Sequence, residues 1–406
     1  MKSVGLVVEY NPFHNGHKYH IDQARIQTNA EIVIAVMSGS FLQRGEPALL
    51  AKWQRTKMAL NAGVDLVVEL PYAFSVQTAK TFATGAIRIL TELGCDSLHF
   101  GSEAGQIEPF NTLVHFMKQH KTEYDLFVQK ALKQGMSYPA ASAAAFTQLT
   151  QLDRLLPLSK PNNILGFHYV QAINEQQSTL IPYTTKRLHA DYHDAEIGAG
   201  SIASATSIRN AIAQGDPFTQ VVPEETAFLL KKYQEKHHFF HQWEAYFPFL
   251  QHKVLSSSLA DISKIAECEE GIEHRVIETG LTATSVEDWL TKLKTKRYTR
   301  TRLQRLFAHL LTGTTKEELQ NIHKQEPMNY IRLLGMTELG KNYLNQHKKQ
   351  LTVPLVTRQA ELKQYHTAGA CDLRTSQCYW LASKPEELAT RLLDEYKQPP
   401  IYLKKP

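Results

Sequence analysis

Five short apolar or β-branched runs punctuate the first half of the chain: Ser3–Tyr10, Glu31–Ser38, Asp65–Leu70, Ser97–Ser102 and Thr179–Thr185. Between them lie stretches with helical signals: Asn15–Gln27, Leu49–Ala62, Val76–Leu93, Pro109–Gln119 and Asn162–Gln176. Gly63 and Gly94 follow two of these directly, where a helix ends most easily. Strands separated by helices of this length predict βαβ units and hence a parallel sheet. After Pro223 the texture changes to long amphipathic stretches, Pro223–Lys236, Val286–Leu311 and Thr315–His323, with a short strand signal at Val353–Val356. Gly215-Asp216-Pro217 interrupts the pattern just before the change. The expected organisation is α/β: a parallel-sheet domain over residues 1–220 and a mainly α-helical domain over 221–406.

Composition narrows the setting. No apolar run approaches the roughly 18 residues that a membrane helix needs, and Met1-Lys2-Ser3 leads directly into a core strand, so neither a membrane span nor a signal peptide is expected. Cys95, Cys268, Cys371 and Cys378 have no C-x-x-C or zinc-type spacing, which points to a reducing, cytoplasmic setting. Residues 1–222 hold 18 basic and 18 acidic side chains, so the whole net charge of +5 lies in the second half. It is densest at Lys292–Arg305, where Lys292, Lys294, Lys296, Arg297, Arg300, Arg302 and Arg305 occur with no acidic residue and with Tyr298 interleaved. A basic stripe with an aromatic is a nucleic-acid footprint, and a solvated helix face is the plainer alternative. The expectation is RNA contact through Lys294, Lys296, Arg297, Arg300, Arg302 and Arg305.

The sharpest chemistry follows the first strand: Val7-Val8-Glu9-Tyr10-Asn11-Pro12-Phe13-His14-Asn15-Gly16-His17-Lys18-Tyr19-His20. A buried strand runs through an Asn-Pro turn into a helix that begins near Asn15. Open parallel sheets bind ligands at the carboxyl ends of their strands, where helix N-termini offer free amides to phosphate. Gly16 has no side chain to keep a phosphate away. His14 and His17 flank it, three residues apart, so both imidazoles can face one point. Attack on an α-phosphate builds charge on its oxygens, and two positioned donors there stabilise the transition state. Residues 7–20 are therefore the expected core of a nucleotide site, with His14 and His17 catalytic.

This stretch resembles the HxGH signature of the nucleotidyltransferase superfamily. The likeness extends to one branch, the bacterial tRNA(Met) cytidine acetate ligases, through Met37-Ser38-Gly39, Phe41-Leu42-Gln43-Arg44-Gly45-Glu46-Pro47-Ala48, Glu69-Leu70-Pro71, Phe100-Gly101-Ser102-Glu103, Pro161-Asn162-Asn163-Ile164-Leu165-Gly166 and Ser204-Ala205-Thr206-Ser207-Ile208-Arg209. These pieces cover the first 210 residues in order; the second half resembles the family only in length and helical character. The resemblance implies a Rossmann-like nucleotidyltransferase domain with Gly101, Asn162, Arg187, Thr206 and Arg209 as further ATP contacts. The hydroxyls and cation of the last motif suit the β- and γ-phosphates. Taken singly, Gly101 also reads as a turn glycine, Asn162 and Ser204 as helix caps, and Arg187 and Arg209 as surface arginines. The implied activity is activation of acetate by ATP and acetylation of the wobble cytidine of elongator tRNA(Met), with magnesium expected on the departing pyrophosphate. The alternatives are an adenylyltransferase joining AMP to a small metabolite, against which the basic second half speaks, and a non-catalytic RNA-binding protein, against which the intact His14, Gly16, His17, Thr206 and Arg209 speak. A class I synthetase would need a K-M-S-K-S loop, which the chain lacks.

Other patterns carry less. The loop Ser38–Gly45 is expected to close over the site or to lie in solvent with one exposed arginine. Gly335–Asn342 nearly fits a P-loop, but Asn342 lacks the magnesium-binding hydroxyl and the surroundings read as helix. Gly198–Ala203 matches a dinucleotide fingerprint with no apolar strand before it. His237, His238 and His241 read as a helix surface beside core aromatics, and His189, Asp191, His193 and Asp194 as a polar loop.

Overall fold

The computed structural model describes residues 1–136, 138–149, 156–158, 160–187, 200–325 and 328–404. Its centre is an eight-stranded sheet: β1 (Ser3–Val8), β2 (Ile32–Ser38), β3 (Leu66–Leu70), β4 (Ser97–Ser102), β5 (Ile181–Lys186), β6 (Ile331–Thr337), β7 (Leu355–Val356) and β8 (Ile401–Leu403). The order is β5-β4-β1-β2-β3-β6-β7, with β8 also on β6. β1 to β5 pair in parallel, as their alternation with helices requires. Helices cover both faces, so β2 and β3 are buried at every position; β2 is apolar up to Ser38, and β3 is apolar except for Glu69.

The chain winds outward from β1 through β2 to β3 and then returns to β4 on the other side of β1. That reversal creates the crevice in which such sheets bind ligands. β1 follows β2 from Ser3–Ile32 to Val8–Met37, whereas its pairing with β4 stops at Gly5–Leu98. The carboxyl ends of β1 and β4 therefore have room between them.

The second half is largely helical but also enters the sheet. β6 lies antiparallel to β3, and β7 and β8 lie parallel to β6. The expected strand at Val353–Val356 is β7. The segment read as helix around Gly335–Asn342 is instead the end of β6 followed by a helix at Glu338–His347, whose first turn is capped by the Thr337 hydroxyl. The core is continuous across residue 220: Phe41 and Tyr72 meet Tyr246 and Tyr379 in one aromatic cluster with Trp243. His237 and His241 are not on a helix surface. They are 3% and 1% exposed, and His241 is held between the Tyr233 and Tyr246 hydroxyls at 2.9 and 2.7 Å. No helix among the described residues is long and apolar enough to cross a membrane.

Candidate active site

His14 and His17 owe their geometry to the start of the helix Asn15–Thr28. His14 is the N-cap residue, and its Nδ1 accepts from the Gly16 amide at 3.1 Å. His17 stands three residues on and returns the favour: its Nδ1 accepts from the His14 amide at 3.2 Å. This is a capping box built from two imidazoles, and the three-residue spacing of the motif is the spacing that box requires. The rings lie 3.7 Å apart at 31°. A Cβ on residue 16 would sit 2.8 Å from the His14 ring, so glycine is needed for the imidazole as well as for any phosphate.

The hydrogen bonds also fix the protonation. Both Nδ1 atoms accept from backbone amides, so each neutral ring carries its proton on Nε2. Desolvation, reinforced by the charges of Arg187 and Arg209, pushes His14 down to about 3. Desolvation also holds His17 well below the ordinary histidine range, with His14, Arg187 and His20 adding to it. At neutral pH the site therefore presents two uncharged N–H donors in a field of arginines.

The remaining residues of the first loop are tied into the surrounding fold. Val7 and Val8 end β1; Tyr10, in the left-handed region at φ 51°, packs its ring on Phe13 and His17. The Asn11–Pro12 peptide is cis. The Asn11 side chain accepts from the Leu49 amide at 2.7 Å, and Glu9 accepts from the Gln43 amide at 2.7 Å. Desolvation raises the Glu9 carboxyl above its usual range against the pull of that amide. Asn15 donates to the carbonyls of Ser201 and Gln220. Lys18 pairs with Asp22 one turn along, Tyr19 is half-buried, and the His20 ring packs against His99 at 4.9 Å.

Distant residues converge on the same end of the sheet. Arg209, on the helix Ala205–Gln214, donates to the Asn11 carbonyl at 3.0 Å and to the Thr206 hydroxyl at 3.3 Å, and lies 3.5 Å from Glu46. Arg187 directly follows β5, with its amide on the Ser102 carbonyl, and its side chain passes Gly101, where a Cβ would stand 3.4 Å away. Asn162, in the first turn of the helix Pro161–Glu175, donates to Glu103 just beyond β4 at 2.7 Å. Gly101, Asn162 and Arg187 thus share one edge of the crevice, and Thr206 and Arg209 abut the histidine loop. Residues 188–199, with His189, Asp191, His193, Asp194 and part of the glycine fingerprint, lie outside the described residues.

Two expectations need correction. The loop Ser38–Gly45 is neither a free lid nor a solvent loop. Phe41 and Leu42 are buried, Ser75 donates to the Phe41 carbonyl at 2.8 Å, and Gln43 reaches the Gln77 carbonyl at 2.6 Å. The basic stretch is not one open helix. It is split between Val286–Leu293 and Arg300–Thr312, and glutamates from elsewhere meet its arginines: Arg297 pairs with Glu270, Arg300 with Glu287, and Arg302 and Arg305 both with Glu267. Arg305 is only 9% exposed, whereas Lys294 and Lys296 stand in solvent.

Sequence reasoning missed Arg55. Buried in the helix Lys52–Asn61, it donates to the carbonyls of Leu50, Glu9, Ser38 and Gly39, tying the ends of β1 and β2 together. Its signal was a charge at an inward-facing helical position, between Ala51 and Ala59.

Comparison with known proteins identifies the family. Residues 1–393 match the family described as HIGH Nucleotidyl Transferase. The tRNA(Met) cytidine acetate ligase of Halalkalibacterium halodurans is 49% identical over 406 residues, covering 99% of this chain and 97% of its own. That of Bacillus subtilis is 46% identical over 406 residues with the same coverage. The crystal structure of Thermotoga maritima TmcAL in its apo form is similar with a TM-score of 0.93 at 31% identity, and the structure bound with alpha-thio ATP with a TM-score of 0.90 at 30% identity; both likenesses cover 100% of each chain. In motif, in fold and along nearly its whole length, the chain belongs to the tRNA(Met) cytidine acetate ligase family of HIGH nucleotidyl transferases.

Proposed function

We propose that this protein is an ATP-dependent ligase that activates acetate and acetylates the exocyclic amine of the wobble cytidine of elongator tRNA(Met). The observation that carries the reading is the pair of neutral imidazoles, each with its Nε2–H free of the capping bonds, at the point where the strand order reverses. A carboxylate oxygen of acetate attacks the α-phosphorus of ATP, the bond to the β-phosphate breaks, and acetyl-adenylate and pyrophosphate result. His14 and His17 donate to the α-phosphate oxygens as charge grows on them and need transfer no proton to do so. Arg209, Thr206 and Arg187 hold the β- and γ-phosphates, while Gly101 and Asn162 border the nucleoside. The cytidine amine then attacks the acetyl carbon, AMP leaves, and the amine sheds one proton, giving N-acetylcytidine. The shared name of the relatives supports the RNA substrate.

Magnesium would be held by the triphosphate more than by the protein. Among the described residues no group of three His, Cys, Asp or Glu could hold a metal ion. No step above depends on one.

We assign chemistry to residues 1–220 and tRNA capture chiefly to 221–406, in the cytoplasmic setting expected from the cysteines. The basic helix stands close enough for that division: Gln304 reaches Glu46 at 3.3 Å, and Glu46 faces Arg209. Lys294, Lys296 and Arg297 on the segment before it and Arg300 at its start are the exposed cations, and Arg302 and Arg305 mainly hold Glu267. The test is incubation with ATP and labelled acetate, with and without tRNA(Met). The expected products are acetyl-adenylate without RNA and label at the wobble cytidine with it. An unmodified cytidine, or AMP transferred to a small metabolite instead, would overturn the reading.

A further inference from the structure

A second cavity, of about 440 Å³, lies away from the histidine loop and is bordered by the helices Lys52–Asn61, Glu224–His237, His366–Trp380 and Pro385–Lys397. Its volume is in the range of small-molecule sites. Three of its polar side chains are more than nine-tenths buried and hold an atom without a hydrogen-bond partner; in one of them, Glu395, that atom is a carboxylate oxygen 3.0 Å from the Lys52 ammonium. Arg391 is 8% exposed and gives Nη2 to Glu387 at 2.7 Å and to the Lys236 carbonyl at 3.4 Å, but its Nε is buried without an acceptor. His237 is 3% exposed, stacked between Tyr233 and Trp380, and its Nδ1 is likewise buried and unpartnered. A guanidinium N–H can only donate, and leaving it unpaired in the interior is costly, so an acceptor belongs there.

The surrounding charge says what kind of acceptor. Lys57, Lys236 and Lys397 line the same cavity, all exposed and none in an ion pair among the described residues. Of the two acidic lining residues, Glu395 turns inward to Lys52 at 3.0 Å and to the Trp53 indole at 2.6 Å; Arg391 is paired with Glu387, which leaves Asp394 against the three lysines in the lining. Burial, Arg391 and Lys236 together push His237 down to about 4, as a positive, water-poor site would. The walls are apolar: the indoles of Trp53 and Trp380, with Pro399 and Ile401. The space exceeds what an inorganic ion fills, and its lining joins cations to flat apolar surface.

We propose that this cavity binds an organic phosphate of nucleotide type, with the phosphate on Arg391, His237 and the lysine rim and the body of the ligand against the tryptophan walls. The same chemistry is offered by a free nucleotide and by a nucleotide within an RNA strand. Because Arg55, on the helix that also carries Trp53 and Lys57, ties down the catalytic loop, the test reads binding and not turnover.

The first site is saturated with a non-hydrolysable ATP analogue. Cytidine 5′-monophosphate, cytidine or a short oligoribonucleotide is then added, while the His237 ring is followed by NMR and affinity by calorimetry. Cytidine 5′-monophosphate is expected to raise the His237 pKa and to bind about tenfold or more weakly to the Lys57→Gln/Lys397→Gln double variant, a surface change that spares the core. A response to the oligoribonucleotide alone assigns the site to RNA and supports the same chemistry. No response to either phosphate compound, equal binding of cytidine, or unchanged affinity in the double variant overturns the proposal.

Discussion

Gly16 shows how much one missing side chain can carry. His14 lies over its backbone, and the capping bonds of both imidazoles run through residues 14–17. In Gly16→Ala the new Cβ would meet the His14 ring at 2.8 Å, and the ring must turn out of its bond to the residue-16 amide. The expected result is a folded protein with acetyl-adenylate formation lowered on the order of 100-fold, since misplacing a catalytic group by about 1 Å costs that much. Single-turnover adenylation alongside circular dichroism would check it; near-normal rates would show that the capped geometry is dispensable.

At the scale of elements, the helix Arg300–Thr312 does two jobs. Its inner face packs Leu303, Leu306, Phe307 and Leu310 at full burial, and Arg305 on its flank neutralises Glu267. Glu267 is held below the usual carboxylate range despite its burial, with Arg305 the largest opposing influence. Reversing Arg305 would therefore attack the fold. Lys294 and Lys296, on the exposed segment before the helix, are the better probes. Lys294→Glu/Lys296→Glu should weaken tRNA binding and lower the slope of log affinity against log salt by about 1 to 2. The melting temperature and tRNA-independent adenylation should be unchanged. A wild-type salt slope would remove this segment from the RNA interface.

Across the whole molecule, the two halves are locked by buried charge. Lys52 lies 2.9 Å from Glu69 and 3.0 Å from Glu395; Arg332 lies 3.1 Å from Glu69 and 3.7 Å from Glu395. The four come from the first long helix after β2, from β3, from β6 and from the last helix, and all are nearly withdrawn from water. Two cations balance two carboxylates. In Lys52→Met one cation would face both carboxylates, and breaking a buried pair costs about 3–5 kcal/mol. Urea unfolding should show a loss of that size; a change below about 1 kcal/mol would mean that the network contributes specificity and not stability.

The five parallel strands and most of the helices between them were legible in the sequence because their evidence is local, although the helices Lys121–Lys133 and Tyr138–Leu149 between β4 and β5 were not marked. A strand buried on both faces is a nearly unbroken apolar run, and an amphipathic helix repeats its apolar residues every turn. The histidine loop was legible for the same reason, since its chemistry lies within a few consecutive residues. β6 was not. Ile331–Thr337 contains Arg332, whose burial makes sense only beside Glu69 and Glu395, over 260 positions before it and over 60 after. Arg55 hid for a like reason, since the carbonyls it gathers come from three separate stretches of chain. The stretch Lys292–Arg305 looked like an unopposed positive surface because Glu267, Glu270 and Glu287 lie outside it. Periodicity and capping are settled between neighbours along the chain, so the sequence by itself determined the five parallel strands, most of their helices and the histidine motif. Which charges are neutralised, which histidines are buried and which strand completes the sheet depend on groups that meet only after folding, because a charge withdrawn from water takes its partner from whatever the tertiary structure brings within a few ångströms.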